Sequence, residues 1–273
     1  TTDTYKGMAC MVVGILLLAT ADAVTKLLIV DFHAGEIIFY RGFFAFLPLL
    51  PLVVLNGGVG SLRLQQPKGV WWRGVIALVT SVFVAMSFIN LPLAEASALI
   101  FTSPIFLTAL SPWLLGEKVG WQRWSAVLFG FAGVVVMIQP GSVAFTTWVF
   151  VPLIAALCSA SRDILTRRLG FVDSATTVMF YTSVVALIGG AVTMPWSGPA
   201  PNAEQWALIG LSGIFVTLAH LLIVMALQLA EGATVAPLKY VSLVWSAILG
   251  YLVWGDVPGL WKVVGALMVV AAG

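Results

Sequence analysis

The residues of this chain that could do chemistry are charged and ring side chains set inside long apolar runs. Asp22 and Lys26 are four apart, and so are Asp163 and Arg167. At that spacing an acid and a base share one helix face and can pair. Arg41 lies in Phe39-Tyr40-Arg41, with Glu36 as a near partner on the same run. His220 is the one histidine within a run, and imidazole suits proton transfer near neutral pH. Lys239 follows Pro237 by two residues and has no acid within four. A charge at such depth is costly unless it meets water, a partner or a ligand. These groups therefore fit ion gating and solute binding.

Two sets of candidates result. Asp22, Lys26 and Asp163 are expected to gate or couple. Lys239, Tyr240, His220, Phe83, Phe101, Ser103, Trp245 and Arg41 are expected to line a substrate pocket, because a ligand site is mostly apolar with few polar anchors. Each has a plainer structural alternative. Asp22 with Lys26 reads equally as a pair reaching for the membrane surface. Asp163 and Arg167 sit beside Arg162 and Arg168, which also serve a loop charge bias. His220 could simply hydrogen-bond a neighbouring helix. Aromatic rings pack well in any core. Glu95 and Glu231 each open a helix, where a carboxylate suits the free N–H groups, and Glu117 and Asp256 read as turn residues.

The chain offers no covalent or metal chemistry. It has no H-E-x-x-H, no G-x-S-x-G, no aspartate-rich pair for a diphosphate and no P-loop. That argues against an enzyme and against an ATP-driven pump acting alone. Cys10 and Cys158 lie inside apolar runs without metal-ligand spacing, so neither a metal nor a cofactor is expected.

The elements that must position these groups are membrane helices. Hydrophobic residues make up 61% of the 273 and charged residues only 9%, with a mean hydropathy of +1.07. Soluble domains carry roughly 25% charge. Ten runs are read as spans, at roughly 7–30, 34–55, 69–89, 92–115, 121–138, 147–168, 174–195, 203–228, 232–253 and 258–273. Stretches such as Met11–Leu18 are solidly apolar, without the alternation of a barrel strand. With the N-terminus near Lys6 placed in the cytoplasm, the cytoplasmic turns hold Arg63, Lys68, Arg73, Lys118, Arg123, Arg167 and Arg168. The opposite turns hold Asp31, Glu204 and Asp256, with Lys262 as their nearest lysine. This bias puts both termini in the cytoplasm. The first run lacks a small-residue cleavage signal and is expected to stay as an anchor.

A pattern recurs half a chain later. Asp22-Ala-Val-Thr25-Lys26-Leu-Leu28 returns as Asp163-Ile-Leu-Thr166-Arg167-Arg-Leu169, a shift of 141 from position 22 to 163. The same shift lays Phe39-Tyr40-Arg41 over Phe180-Tyr181-Thr182, and Ala45 over Ala186. Leu93-Ala94-Glu95 matches Leu229-Ala230-Glu231. The expected fold is an all-α integral membrane protein of ten transmembrane helices in two five-helix repeats, 1–140 and 141–273. Five is odd, so the second repeat must run inverted. Two inverted halves offer two related states, one open to each side, with a site near the midplane.

The chain resembles the drug/metabolite transporter superfamily, in its ten-helix EamA-like branch. The carriers of the likeness are the first span ending in Lys26, Phe39-Tyr40-Arg41-Gly-Phe-Phe-Ala45, Ala94-Glu95-Ala-Ser-Ala-Leu, Leu115-Gly116-Glu117 and Trp254-Gly255-Asp256-Val-Pro258. With Leu238-Lys239-Tyr240-Val, they look most like bacterial exporters of aromatic amino acids. The resemblance implies a monomeric secondary transporter of the inner membrane. It would export aromatic or neutral amino acids or related metabolites, without cofactor or nucleic acid. The alternatives are a non-transporting membrane scaffold and a carrier of drugs or nucleotide-sugar-like solutes.

Overall fold

The computed structural model describes residues 2–114, 116, 120–139, 146–169, 172–229 and 236–272, which fold into helices joined by turns, with no strand among the described residues. In chain order the α-helices are α1 Thr2–Leu28, α2 Ala34–Phe44, α3 Phe46–Leu55, α4 Pro67–Asn90, α5 Leu93–Ile100, α6 Ser103–Leu114, α7 Trp121–Ile138, α8 Phe150–Leu169, α9 Ala175–Ala191, α10 Ala203–Leu229, α11 Val241–Trp254 and α12 Leu260–Ala272. Six stretches are long and apolar enough to cross a membrane: Thr4–Leu28, Ala34–Leu55, Pro67–Asn90, Leu93–Leu110, Thr147–Thr166 and Ala203–Ala226. Four apolar helices among the described residues are shorter, namely Trp124–Ile138, Ala175–Ala191, Leu238–Trp254 and Leu260–Ala272. Large apolar side chains such as Val30, Leu55, Trp121 and Leu252 stand more than two-thirds exposed, as an outside facing lipid requires. The protein is an all-helical integral membrane protein.

Two of the expected spans are broken, and proline explains both breaks. A proline ring clashes with the carbonyl four residues back and cannot donate to it. Pro48 acts on Phe44, the last residue of α2, and α3 resumes at Phe46. Pro104 acts on Ile100, the last residue of α5, and then sits in the first turn of α6, where a missing N–H is harmless. Thr102 stitches that break, its hydroxyl donating to the Leu99 carbonyl at 2.7 Å. The ninth span is likewise irregular. A 3₁₀ turn, Ala236–Tyr240, leads into α11.

The helices pack in pairs. Helix α1 lies along α10, α4 along α8, α2 along α9, α5 along α11 and α7 along α12. The last pair approaches closely through two glycines. A Cβ added at Gly265 would lie 2.5 Å from the Gly133 carbonyl oxygen, and one at Gly133 would lie 2.8 Å from that of Gly265. Gly265→Leu is expected to push α7 from α12 and cost about 1–3 kcal/mol, as overpacking does. The check is a lower melting temperature in detergent. Gly259→Leu is the control, because nothing lies within 4 Å of an added Cβ there. Equal melting of the two variants would remove this contact as a stabilising feature.

Candidate functional site

Helices α2, α4, α8, α9 and α10 surround a cavity of about 640 Å³, counting the part open to solvent. Its wall is apolar (Ile38, Ala45, Ala77, Leu78, Met179, Ala186 and Val216), interrupted by Ser81, Thr182, Ser183, Thr217 and His220. Three guanidinium groups also line it, from Arg41, Arg73 and Arg162.

Each arginine is held by local helix chemistry. Arg73 is only 3% exposed. Its Nε–H donates to Thr166 Oγ1 at 2.9 Å, and its Nη1 donates to Thr182 Oγ1 at 2.8 Å. Both hydroxyls give their own proton to the carbonyl four residues back, Thr166 to Arg162 and Thr182 to Val178. A hydroxyl has one proton to donate, so its lone pairs are left to accept from arginine. Arg41 repeats the device. It donates from Nη1 to Thr25 Oγ1 at 3.1 Å, and Thr25 donates to the Ala21 carbonyl. Asp22 lies in the field of Arg41. Arg162 donates to Ser159 at 3.1 Å and pairs with Asp163 at 3.2 Å. His220 Nδ1 is 2.9 Å from the Val216 carbonyl. A carbonyl only accepts, so Nδ1 carries the proton of that bond.

Lys239 finds an acid on another helix. Its Nζ is 3.8 Å from Asp163 Oδ2, so one carboxylate faces both Arg162 and Lys239. The 3₁₀ turn carries Lys239 toward α8, and Ser242 closes it by donating to the Lys239 carbonyl at 2.7 Å.

A second charged group ties together one end of the bundle. Lys26 Nζ donates to the Leu91 carbonyl at 3.0 Å, lies 3.7 Å from Asp256 and sits 4.9 Å over the Trp254 ring. Lys262 pairs with Glu95. Gly255 places Asp256 there. With φ at 71° it ends α11 in the left-handed region, where a side chain is strained, and the chain folds back so that the Asp256 N–H reaches the Gly250 carbonyl.

The structure brings some of the expected residues together and separates others. Arg41 and His220 line the cavity, and Asp163 with Lys239 adjoins it through Arg162. Phe83, Phe101, Ser103, Tyr240 and Trp245 are not among the lining residues. Tyr240 is buried in the main core with Phe88 and Leu93, and Trp245 donates from Nε1 to Thr20 at 3.0 Å. Lys26 pairs with Asp256 instead of Asp22, because it lies at the helix end where Gly255 delivers that carboxylate. Glu36 is not the partner of Arg41. It accepts from the backbone N–H of His33 and of Gly198, each at 2.8 Å. Glu95 and Asp256 hold lysines beyond any capping or turn role. Glu117, Glu231 and the side chain of Arg167 lie outside the described residues. Sequence reasoning assigned Arg73 and Arg162 to the charge bias of the loops and so missed both. The available signal was depth: Arg162 is the thirteenth residue of the twenty in α8.

Known proteins are similar to this chain over most of its length. The model of the EamA-like transporter family matches the chain twice, over residues 5–139 and 146–272. An S-adenosylmethionine uptake transporter of Rickettsia prowazekii is 27% identical over 97% of this chain and 90% of its own length. The pseudopaline exporter of Pseudomonas aeruginosa is 26% identical over 97% and 94%. A riboflavin transporter of Vibrio cholerae is 30% identical over 83% and 76%. A crystal structure superposes with a TM-score of 0.67 over 100% of this chain and 94% of that one, at 19% identity, which speaks to fold alone. With both halves matched by one family model, the chain belongs to the EamA-like transporter family.

Proposed function

We propose that this protein is a secondary carrier working by alternating access. It exports amino acids, aromatic or neutral, or related small metabolites across the bacterial inner membrane. It acts as a monomer that crosses ten times, in two inverted repeats of residues 1–140 and 141–273, with both termini in the cytoplasm. The observation that carries this reading is the cavity itself. Helices of both halves line it, and charged side chains set so deep in a membrane protein commonly mark a solute path. The helix pairs support the repeat. Exchanging the first five spans for the last five turns the α1–α10 pair into α8–α4. The same exchange returns α2–α9, α5–α11 and α7–α12 to themselves. The two family matches fall on the same division.

The ion pairs suggest how access alternates. The group at Lys26, Asp256, Glu95 and Lys262 closes the end to which the C-terminus of α1 points, and that end is the outer face in this reading. A second reading of the substrate is a nucleoside- or flavin-like metabolite. It is favoured by relatives named for S-adenosylmethionine and riboflavin. The names also include both an uptake transporter and an exporter, so the gradient would set direction. The test is counterflow in proteoliposomes with labelled phenylalanine, tryptophan, S-adenosylmethionine and riboflavin. Saturable flux above empty liposomes is expected for at least one. No flux for any of them would favour a non-transporting scaffold.

A further inference from the structure

We propose that the cavity selects solutes by an anionic oxyacid group, a carboxylate or a phosphate, held by Arg73 and Arg162. This rests on the carrier reading above and names the substrate class of that same site. The observation is an imbalance of charge in an enclosed place. Arg41, Arg73 and Arg162 line the cavity, and no carboxylate is among its lining residues. Of the described acids next to it, Asp22 lies in the field of Arg41, and Asp163 pairs with Arg162 and Lys239 and also acts on Arg73. Among the described residues, the four cations Arg41, Arg73, Arg162 and Lys239 stand against these two acids, an excess of two positive charges. Three further acids of the described helices are occupied elsewhere. Glu36 accepts two backbone N–H groups, and Glu95 and Asp256 hold lysines at the end of the bundle.

Among the described residues the hydrogen-bond partners of Arg73 are two neutral hydroxyls, and the one acid acting on it, Asp163, is already paired with Arg162 and Lys239. The two hydroxyl bonds use two of the five N–H groups of Arg73, so the remainder of the planar fork stays available to the cavity it lines. A guanidinium fork matches the two oxygens of a carboxylate or phosphate. Arg162 stands beside it. Thr166 accepts from Arg73 and donates to the Arg162 carbonyl, so one hydroxyl links the two residues. Burying more cations than carboxylates is expensive, and an anionic solute supplies the missing charge. The apolar wall formed by Leu78, Met179 and Val216 would hold the rest of the molecule.

The test uses matched solutes on the purified full chain, with binding read as quenching of tryptophan fluorescence and as thermal stabilisation. The probes are L-phenylalanine, L-phenylalaninamide and phenethylamine, together with riboflavin and its 5′-phosphate. Removing the anion is expected to weaken binding about ten- to a hundredfold, the worth of a charge-assisted hydrogen bond. Preference for phenylalanine over its amide assigns the site to carboxylates. Preference for the 5′-phosphate over riboflavin assigns it to phosphates. Arg73→Gln should erase the preference, and Arg73→Lys should keep part of it. The probes act on the unmodified protein, so a variant that fails to fold does not void the result. Equal binding within both matched pairs overturns the proposal, as does no response to either anion or a preference that survives in folded Arg73→Gln. Counterflow that persists while the preference is absent overturns this inference and leaves the carrier reading standing.

Discussion

Asp163→Asn is expected to be the most damaging single change in the cavity region. Its carboxylate faces Arg162 at 3.2 Å and Lys239 at 3.8 Å, and these side chains are 27%, 17% and 20% exposed. Removing one partner of a buried pair leaves the other charge without compensation, which costs about 3–5 kcal/mol. Here a single removal exposes two cations to each other. The variant should therefore melt well below the parent and carry little flux. The double variant Asp163→Asn with Lys239→Met separates the causes. Lys239→Met keeps most of the apolar stem and removes the unpaired ammonium, so it should recover part of the lost stability. If Lys239 also touches the solute, stability returns while flux does not. The measurements are melting in detergent and counterflow on all three variants, read as a double-mutant cycle. A single Asp163→Asn variant that melts with the parent would mean that the carboxylate is not what holds these cations.

The membrane helices could be read from the sequence because their signal is long and redundant. Roughly 20 apolar residues in a row have few other uses. The breaks in the second and fourth spans were not read, although Pro48 and Pro104 were in plain view. A proline in a membrane helix either kinks it or is absorbed, and the neighbouring helices decide which. The site was harder. Periodicity shows that Asp22 and Lys26 share a face, but pairing depends on which helix lies opposite. Helix α1 brings its end against the segment after α11, so Lys26 meets Asp256, while Asp22 lies in the field of Arg41 on α2. Lys239 shows the same limit. Its depth and isolation from local acids demanded a partner, and only the approach of the Ala236–Tyr240 turn to α8 supplies Asp163. Arg73 was missed for a different reason. It lies seven residues into α4 behind Trp71 and Trp72, where a loop arginine and a cavity arginine look alike. Two threonines from α8 and α9 distinguish them, and neither is near it in sequence.

Reversing the charge of Asp256 is expected to slow transport about tenfold or more, and a second reversal at Lys26 should restore it. At its end of the bundle Lys26 holds Asp256, the Leu91 carbonyl and the face of Trp254. The two side chains are 12% and 30% exposed, so water only partly screens them. A carrier needs both of its states populated, and a contact present in one state sets their ratio. If this contact contributes about 1.4 kcal/mol to the closed state, its loss shifts the ratio about tenfold. Asp256→Lys does more than remove it, since it sets two ammonium groups against each other. That end should then stay open, and a cysteine placed at Ala94, beside Gly250 and Asp256, should react faster with a membrane-impermeant maleimide. The exchange Lys26→Glu with Asp256→Lys restores an opposite-charge pair at the same place. Flux should return toward the parent, and the cysteine should become protected again. A mere surface ion pair gives a different pattern, because its loss is worth only about 0–1 kcal/mol and changes neither readout. Parent-like flux in Asp256→Lys, or a charge exchange that fails to rescue a folded protein, would remove Lys26 and Asp256 from the gate.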